Sequence, residues 1–274
     1  ARPITFWRLV MIRNNQVKER IKQGQTVFGV YSVIPSPELV ELAGLCGFDY
    51  IRIDCHHGHA NLETIANMIR AAEIFDLTPF ARVYNDPQRI LSVLDMGARG
   101  IIVPDIHDAA DARAAVESTK FKPLGDRGLF TNSRSSDYGE FKGKEYLEWA
   151  NDNVMLGLQI ENSAALENLE EILKVEGIDF VMGGRNDLSQ SLGVAGQKDH
   201  PLVIEAENRI INCASKAGIM VSLSMNPHQA NFEEQLKVLI KKGSNMITLG
   251  TDISFVQRIY KETLKKLKGA IAGC

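Results

Sequence analysis

Two acidic residues, Glu161 and Asp187, stand where a chain of this pattern does its chemistry. Each follows an apolar run: VMLGLQIEN begins at Val154 and IDFVMGGRNDL begins at Ile178. Between them, SAALENLEEILKVEG sets Ala165, Leu166, Leu169, Ile172 and Leu173 on one stripe at helical spacing. Strand, helix and strand form a parallel crossover, and the C-terminal edge of such a sheet is where α/β folds bind ligands. Two carboxylates meeting there suit a hard divalent cation such as Mg²⁺, which takes one or two protein carboxylates and keeps several waters. The plainer reading has Glu161 capping a helix and Asp187 closing a loop. Spacing alone leaves both open.

Applied to the rest of the chain, the same rule places Asp54, His57, Arg82, Asp105, Gln159, Ser224 and Gly250 at strand ends. An arginine fixed at such a mouth stabilises a developing enolate oxygen or clamps a substrate carboxylate. A histidine moves protons near neutral pH, and a metal polarises the carbonyl of a keto acid. Together these are the parts needed to make an enolate and add it to an aldehyde. Competing readings exist for each. Arg82 suits a rim salt bridge, and Asp95 and Asp105 suit helix caps or surface acids. His56, His57 and His59 share one turn, but no Cys pair accompanies them to close a structural zinc site. A Schiff-base lysine would have to come from Lys120 to Lys122, in loop sequence. GxGxxG, GxxxxGK and GxSxG are all absent, which argues against dinucleotide, P-loop and serine-hydrolase chemistry.

Eight strands are needed to hold these residues. They are read at 26–34, 48–54, 78–84, 100–106, 154–161, 178–184, 218–225 and 245–250, each followed by helical periodicity. No linker interrupts the alternation, so the expectation is a single α/β domain over 1–274, a (β/α)8 barrel rather than a doubly wound sheet. An N-terminal helix is expected over 8–25. The segment Ser118 to Asn153 breaks the rhythm with Gly125, Gly128, Gly139, Gly143 and many charges, and reads as a long loop after strand 4, of the kind that serves as a lid. The last helix carries Phe255, Val256, Ile259, Tyr260, Leu264 and Leu267 on one face.

With 274 residues, 45% hydrophobic, 24% charged and a net charge of −3, the chain has the composition of a soluble globular protein. That charge gives no electrostatic case for nucleic acid or an anionic membrane, and no apolar run approaches a membrane span. The charged opening stretch does not read as a secretory leader. Cys46, Cys55, Cys213 and Cys274 lack CxxC spacing, as expected of free thiols in a reducing cytoplasm.

The stretches SPELVELAGLCGFDYIRIDCHHG, ARVYNDP, LDMGARGIIVPDI, LQIENSAALENLEEILKVEGIDFV and NDLSQSLG, in this order and spacing, resemble the HpcH/HpaI aldolase family of metal-dependent class II pyruvate aldolases. The resemblance runs from about Thr26 to Lys268. It implies that Glu161 and Asp187 hold Mg²⁺, Mn²⁺ or Co²⁺. It implies that His57 is the acid/base, with Asp95 as its partner, and that Arg82 serves the enolate. By the same likeness Gln159 neighbours the pyruvate site, Gly184 and the Asn186 backbone hold the substrate carboxylate, and Asp54 opens the histidine turn. The activity implied is cleavage of a 4-hydroxy-2-oxo acid to pyruvate and an aldehyde, by a homo-oligomer, commonly a hexamer, whose last helix packs on a neighbour. Relatives that decarboxylate oxaloacetate or act on acyl-CoA, and a silent barrel that merely binds a keto acid, are the alternatives. Three departures stand out: His56 where Glu is usual, one residue fewer between Arg82 and Asn85, and Arg185 after Gly184, which would add a cation near the carboxylate pocket.

Overall fold

In the computed structural model, which describes residues 14–272, eight parallel strands close into a barrel in strict chain order. After α1 (Gln16–Lys22) come β1 (Val27–Ser32), α2 (Pro37–Leu45), β2 (Tyr50–Asp54), α3 (Leu62–Ile74), β3 (Thr78–Arg82), α4 (Pro87–Asp95), β4 (Gly100–Val103) and α5 (Ala109–Thr119). A 3₁₀ stretch (Arg134–Gly139) and α6 (Gly143–Asn153) precede β5 (Met155–Ile160), followed by α7 (Ser163–Glu167), α8 (Leu169–Ile172), β6 (Phe180–Gly183) and α9 (Arg185–Ser191). The chain ends with α10 (Pro201–Ala217), β7 (Met220–Met225), α11 (Phe232–Lys241), β8 (Met246–Thr251) and α12 (Asp252–Ala272).

Helices begin close behind the strands because short polar residues cap them. Ser36, Asn61, Asp86, Asp108 and Asn162 each accept a backbone N–H of the first helical turn, and Pro37 and Pro87 occupy the first helical position. Loops of this length keep the strand ends and their side chains in fixed places. Inside the barrel, rings lie over glycines on neighbouring strands. A Cβ on Gly29 would come within 2.2 Å of the Tyr50 ring, on Gly100 within 2.0 Å of Phe80, and on Gly157 within 2.2 Å of Phe180. Tyr50, Phe80 and Phe180 meet edge to face at centroid separations of 5.6 and 5.8 Å. These rings plug the lower part of the barrel.

Three details differ from the sequence reading. The N-terminal helix is Gln16–Lys22, shorter than the expected 8–25: residues 14–15 and 23–25 are not helical, and residues 8–13 lie outside the described residues. The helix behind β5 breaks at Asn168 into α7 and α8. The 118–153 segment is not a lid. It runs from the end of a helix to the start of a strand, so it crosses the N-terminal face of the barrel, opposite the site. There Arg127 pairs with Asp95 at 3.3 Å, Arg134 pairs with Glu73, and the Asn15 side-chain amide donates to Asn153 O at 2.9 Å. Phe121, Phe141, Tyr146 and Ala150 give it a small core of its own.

α12 packs by its first turns against β1 and β8. Beyond them its apolar stripe is uncovered: Ile259 is 59% exposed, Tyr260 71% and Ile271 74%. No helix among the described residues is long and apolar enough to cross a membrane.

Candidate active site

β2 and β3 pair in a register that sets Asp54 beside Arg82. Arg82 donates from Nε to Asp54 Oδ1 at 3.1 Å and from Nη2 to Oδ2 at 2.6 Å, a two-point fork. The same carboxylate accepts the backbone N–H groups of His56 and His57 at 3.1 and 3.2 Å. One buried acid therefore fixes both the guanidinium and the entry to the histidine turn. Burial would raise the Asp54 pKa, but the Arg82 contact and the two amides hold it below the ordinary carboxylate value. Burial likewise opposes the Arg82 charge, and Asp54 more than restores it. The Arg82 guanidinium carbon also lies 5.3 Å from the Tyr31 ring centroid.

Across the mouth, β5 ends on a second acid. Glu161 is buried, and its Oε1 accepts the Asp105 N–H at 2.9 Å while Oε2 accepts the Gln159 side-chain amide. Asp105 turns this N–H inward by adopting a left-handed conformation, φ 56°. Gly184 must lack a side chain here, since a Cβ would sit 2.8 Å from Glu161 Oε2 and 3.1 Å from Gln159 Nε2. Asp187 follows in the first turn of α9, exposed to solvent, with Asn186 beside it. Burial, joined by the Asp187 charge, pushes the Glu161 pKa up to about 7, against the pull of the Asp105 amide and Arg82. The Gln159 Oε1 is buried and unpartnered among the described residues. Two crowded carboxylates and a free amide oxygen form an all-oxygen donor set, and they fit a hard divalent cation.

The histidine turn is less settled by packing. His57 is exposed, its ring 4.1 Å from that of His56. His56 leans on Tyr84, with 4.3 Å between ring centroids, and its Nδ1 is buried without a partner among the described residues. Burial and the neighbouring His57 and Arg82 charges lower the His56 pKa.

Asp95 is not brought to His57. It ends α4 on the opposite face of the barrel, where its partner is Arg127. A helix that starts at the mouth must end at the floor, so an acid nine residues along it cannot reach a strand-end histidine of the same chain. Arg185 also departs from expectation. It turns onto α10, forking onto Glu207 at 2.8 and 2.6 Å and reaching Asp199 at 3.1 Å, so its charge is spent away from the carboxylate pocket. Lys120 is buried at the floor, bonded to Asp179 at 3.0 Å. Tyr31, Tyr84 and Glu207 escaped the sequence reading. Tyr31 was findable, as a residue just before the end of the first strand; Glu207, on a helix face, carried no signal.

A family model described as HpcH/HpaI aldolase/citrate lyase matches residues 27–258. A 4-hydroxy-2-oxo-heptane-1,7-dioate aldolase of Klebsiella pneumoniae is 33% identical over 247 residues, covering 89% of this chain and 91% of that protein. Among solved structures, citrate synthase SbnG is 31% identical with a TM-score of 0.82, over 92% of this chain and 97% of that one. An HpcH/HpaI aldolase from Desulfitobacterium hafniense is 27% identical with a TM-score of 0.83, over 92% and 96% of the two chains.

Proposed function

The chain belongs to the HpcH/HpaI aldolase/citrate lyase family, and from that membership we propose that it is a class II pyruvate aldolase cleaving a 4-hydroxy-2-oxo acid to pyruvate and an aldehyde. The observation that carries this reading is the pairing across one mouth of a carboxylate-locked arginine with two crowded carboxylates. In cleavage the C4 hydroxyl loses its proton, the C3–C4 bond breaks, the aldehyde departs and the electron pair moves onto the C2 oxygen. The enolate then takes a proton at C3 to give pyruvate. Addition is the same path reversed.

Arg82 has five N–H donors, and two are committed to Asp54. The remaining ones serve the C2 oxygen as its charge develops, and because the fork is already held, no reorganisation accompanies the reaction. His57 takes and returns the C4 hydroxyl proton. Gly184 and the Asn186 backbone receive the substrate carboxylate, with Gln159 alongside. Glu161 and Asp187 hold Mg²⁺, Mn²⁺ or Co²⁺, and that cation, when bound, supplies Lewis-acid polarisation of the keto-acid carbonyl. Arg185 takes no part in binding the carboxylate, because Glu207 and Asp199 occupy it.

Enolate addition to a second oxo acid is favoured by one observation, the 31% identity with a citrate synthase. A panel of aldehydes and of oxaloacetate, each supplied with pyruvate and Mn²⁺ and read by product mass, separates the two. Aldehyde adducts support the aldolase; an adduct of pyruvate with oxaloacetate and with no aldehyde, or only loss of CO₂ from oxaloacetate, overturns it.

The uncovered stripe of α12 supports a homo-oligomer, in the family's habit a hexamer, in which a second copy covers Ile259, Tyr260 and Leu264. Free thiols at Cys46, Cys55 and Cys213 are consistent with a cytoplasmic enzyme.

A further inference from the structure

Arg52 precedes Asp54 by two residues on β2, so both point to the barrel interior. It is completely buried. Its guanidinium crosses the barrel: Nη1 meets the Met182 sulfur of β6 at 3.3 Å, Nη2 donates to the Ser222 hydroxyl of β7, and Nε has no partner among the described residues. No carboxylate of the described residues forms an ion pair with it. What surrounds it instead is aromatic. Its guanidinium carbon lies 5.5 Å from the Tyr31 centroid and 5.4 Å from that of Tyr50. Tyr31 thus touches two cations, Arg52 below and Arg82 at the mouth.

An arginine cannot shed its proton to escape burial, and a buried charge without a counter-ion is destabilising. A core position that breaks this rule directly beneath an anion site points to function. We propose that Arg52 is a positioning residue whose permanent charge forms the floor of the active site and favours the enolate over the keto acid. This deepens the pyruvate-enolate reading and depends on it. When the C3 proton of bound pyruvate passes to His57 and on to solvent, its electron pair moves onto the C2 oxygen, and the bound molecule passes from one negative charge to two. A fixed cation in a water-poor barrel stabilises the doubly charged form more, without touching it.

The test compares R52M and R52Q with the unaltered full-length enzyme, measuring kcat and KM for exchange of the pyruvate methyl protons in deuterated water with Mn²⁺, and thermal midpoints. At an effective dielectric of about 20, a unit charge at roughly 10 Å is worth about tenfold in rate. Both variants should therefore lose about tenfold in kcat with a much smaller change in KM, while R52M melts higher than the unaltered protein. R52Q keeps a donor for Ser222 and carries the test if R52M does not fold. Exchange within about twofold of the unaltered enzyme in either variant overturns the proposal. So does a loss of rate that tracks a lower thermal midpoint, which would make Arg52 a framework residue. If the unaltered enzyme does not exchange at all, the enolate reading fails and this one falls with it. If it exchanges and the variants match it, this proposal alone fails.

Discussion

At the residue scale, Asp54 and Arg82 are worth more together than apart. Substituting Arg82 by Lys keeps a charge near Asp54 but loses the fork, and a point charge cannot meet both Asp54 and a substrate oxygen. We expect R82K to lose on the order of 10²–10³ in kcat, the usual effect of removing one oxyanion donor, with little change in thermal midpoint. R82M should also lose stability, by about 3–5 kcal/mol, because it leaves a buried Asp54 carboxylate unpaired. Full activity in R82K would contradict the role. The histidines separate by a second comparison. H57A should keep metal affinity and lose about 10²-fold in rate, as expected for a general acid/base, whereas H56A, whose ring packs on Tyr84, should lose far less. A rate loss concentrated in H56A would reverse the assignment.

At the scale of elements, β5 and the β6–α9 turn bring Glu161 and Asp187 together, and that crowding is itself measurable. The Glu161 pKa is raised in the folded, metal-free protein to about 7. A raised carboxyl contributes stability that is fully present below its unfolded pKa and is lost as pH rises through the folded value. Metal-free protein should therefore melt lower at about pH 8 than at about pH 6, and the difference should shrink in E161Q. Because the same proton competes with metal, Mn²⁺ affinity measured by titration calorimetry should weaken steadily below about pH 7. A flat profile would show that the two carboxylates do not share one site.

The elements also explain what the sequence could and could not disclose. Asp54, Arg82, Gln159, Glu161 and Asp187 were legible because apolar runs end at them, and a parallel barrel turns every such end to one mouth. Asp95 and His57 do not meet within one chain, because likeness to a family carries residue types but not the direction of a helix; α4 leads Asp95 to Arg127. The 118–153 segment misled for the same reason, since Gly and charge content mark a loop without saying which face it crosses. Arg185 depended on Glu207, 22 positions away on another helix, a distance that no local pattern spans.

At the scale of the whole molecule, the barrel is closed and α12 is not covered. An apolar stripe with Tyr260 71% exposed is costly in water and suits burial against a second copy. Truncation after Thr251 should give monomers or insoluble protein by light scattering coupled to size exclusion; a soluble oligomer of unchanged size would argue that other surfaces hold the assembly. The chemistry turns on the enolate, and proton exchange on pyruvate tests for it without any knowledge of the aldehyde. Full-length protein stripped of metal by exhaustive chelation, then supplied with Mn²⁺ or Mg²⁺, is incubated with pyruvate in deuterated water, and the methyl signal is followed by NMR. No exchange is expected without metal, exchange once metal is restored, and none in E161Q under either condition. Exchange in the stripped protein, or in E161Q at the rate of the unaltered enzyme, would contradict it.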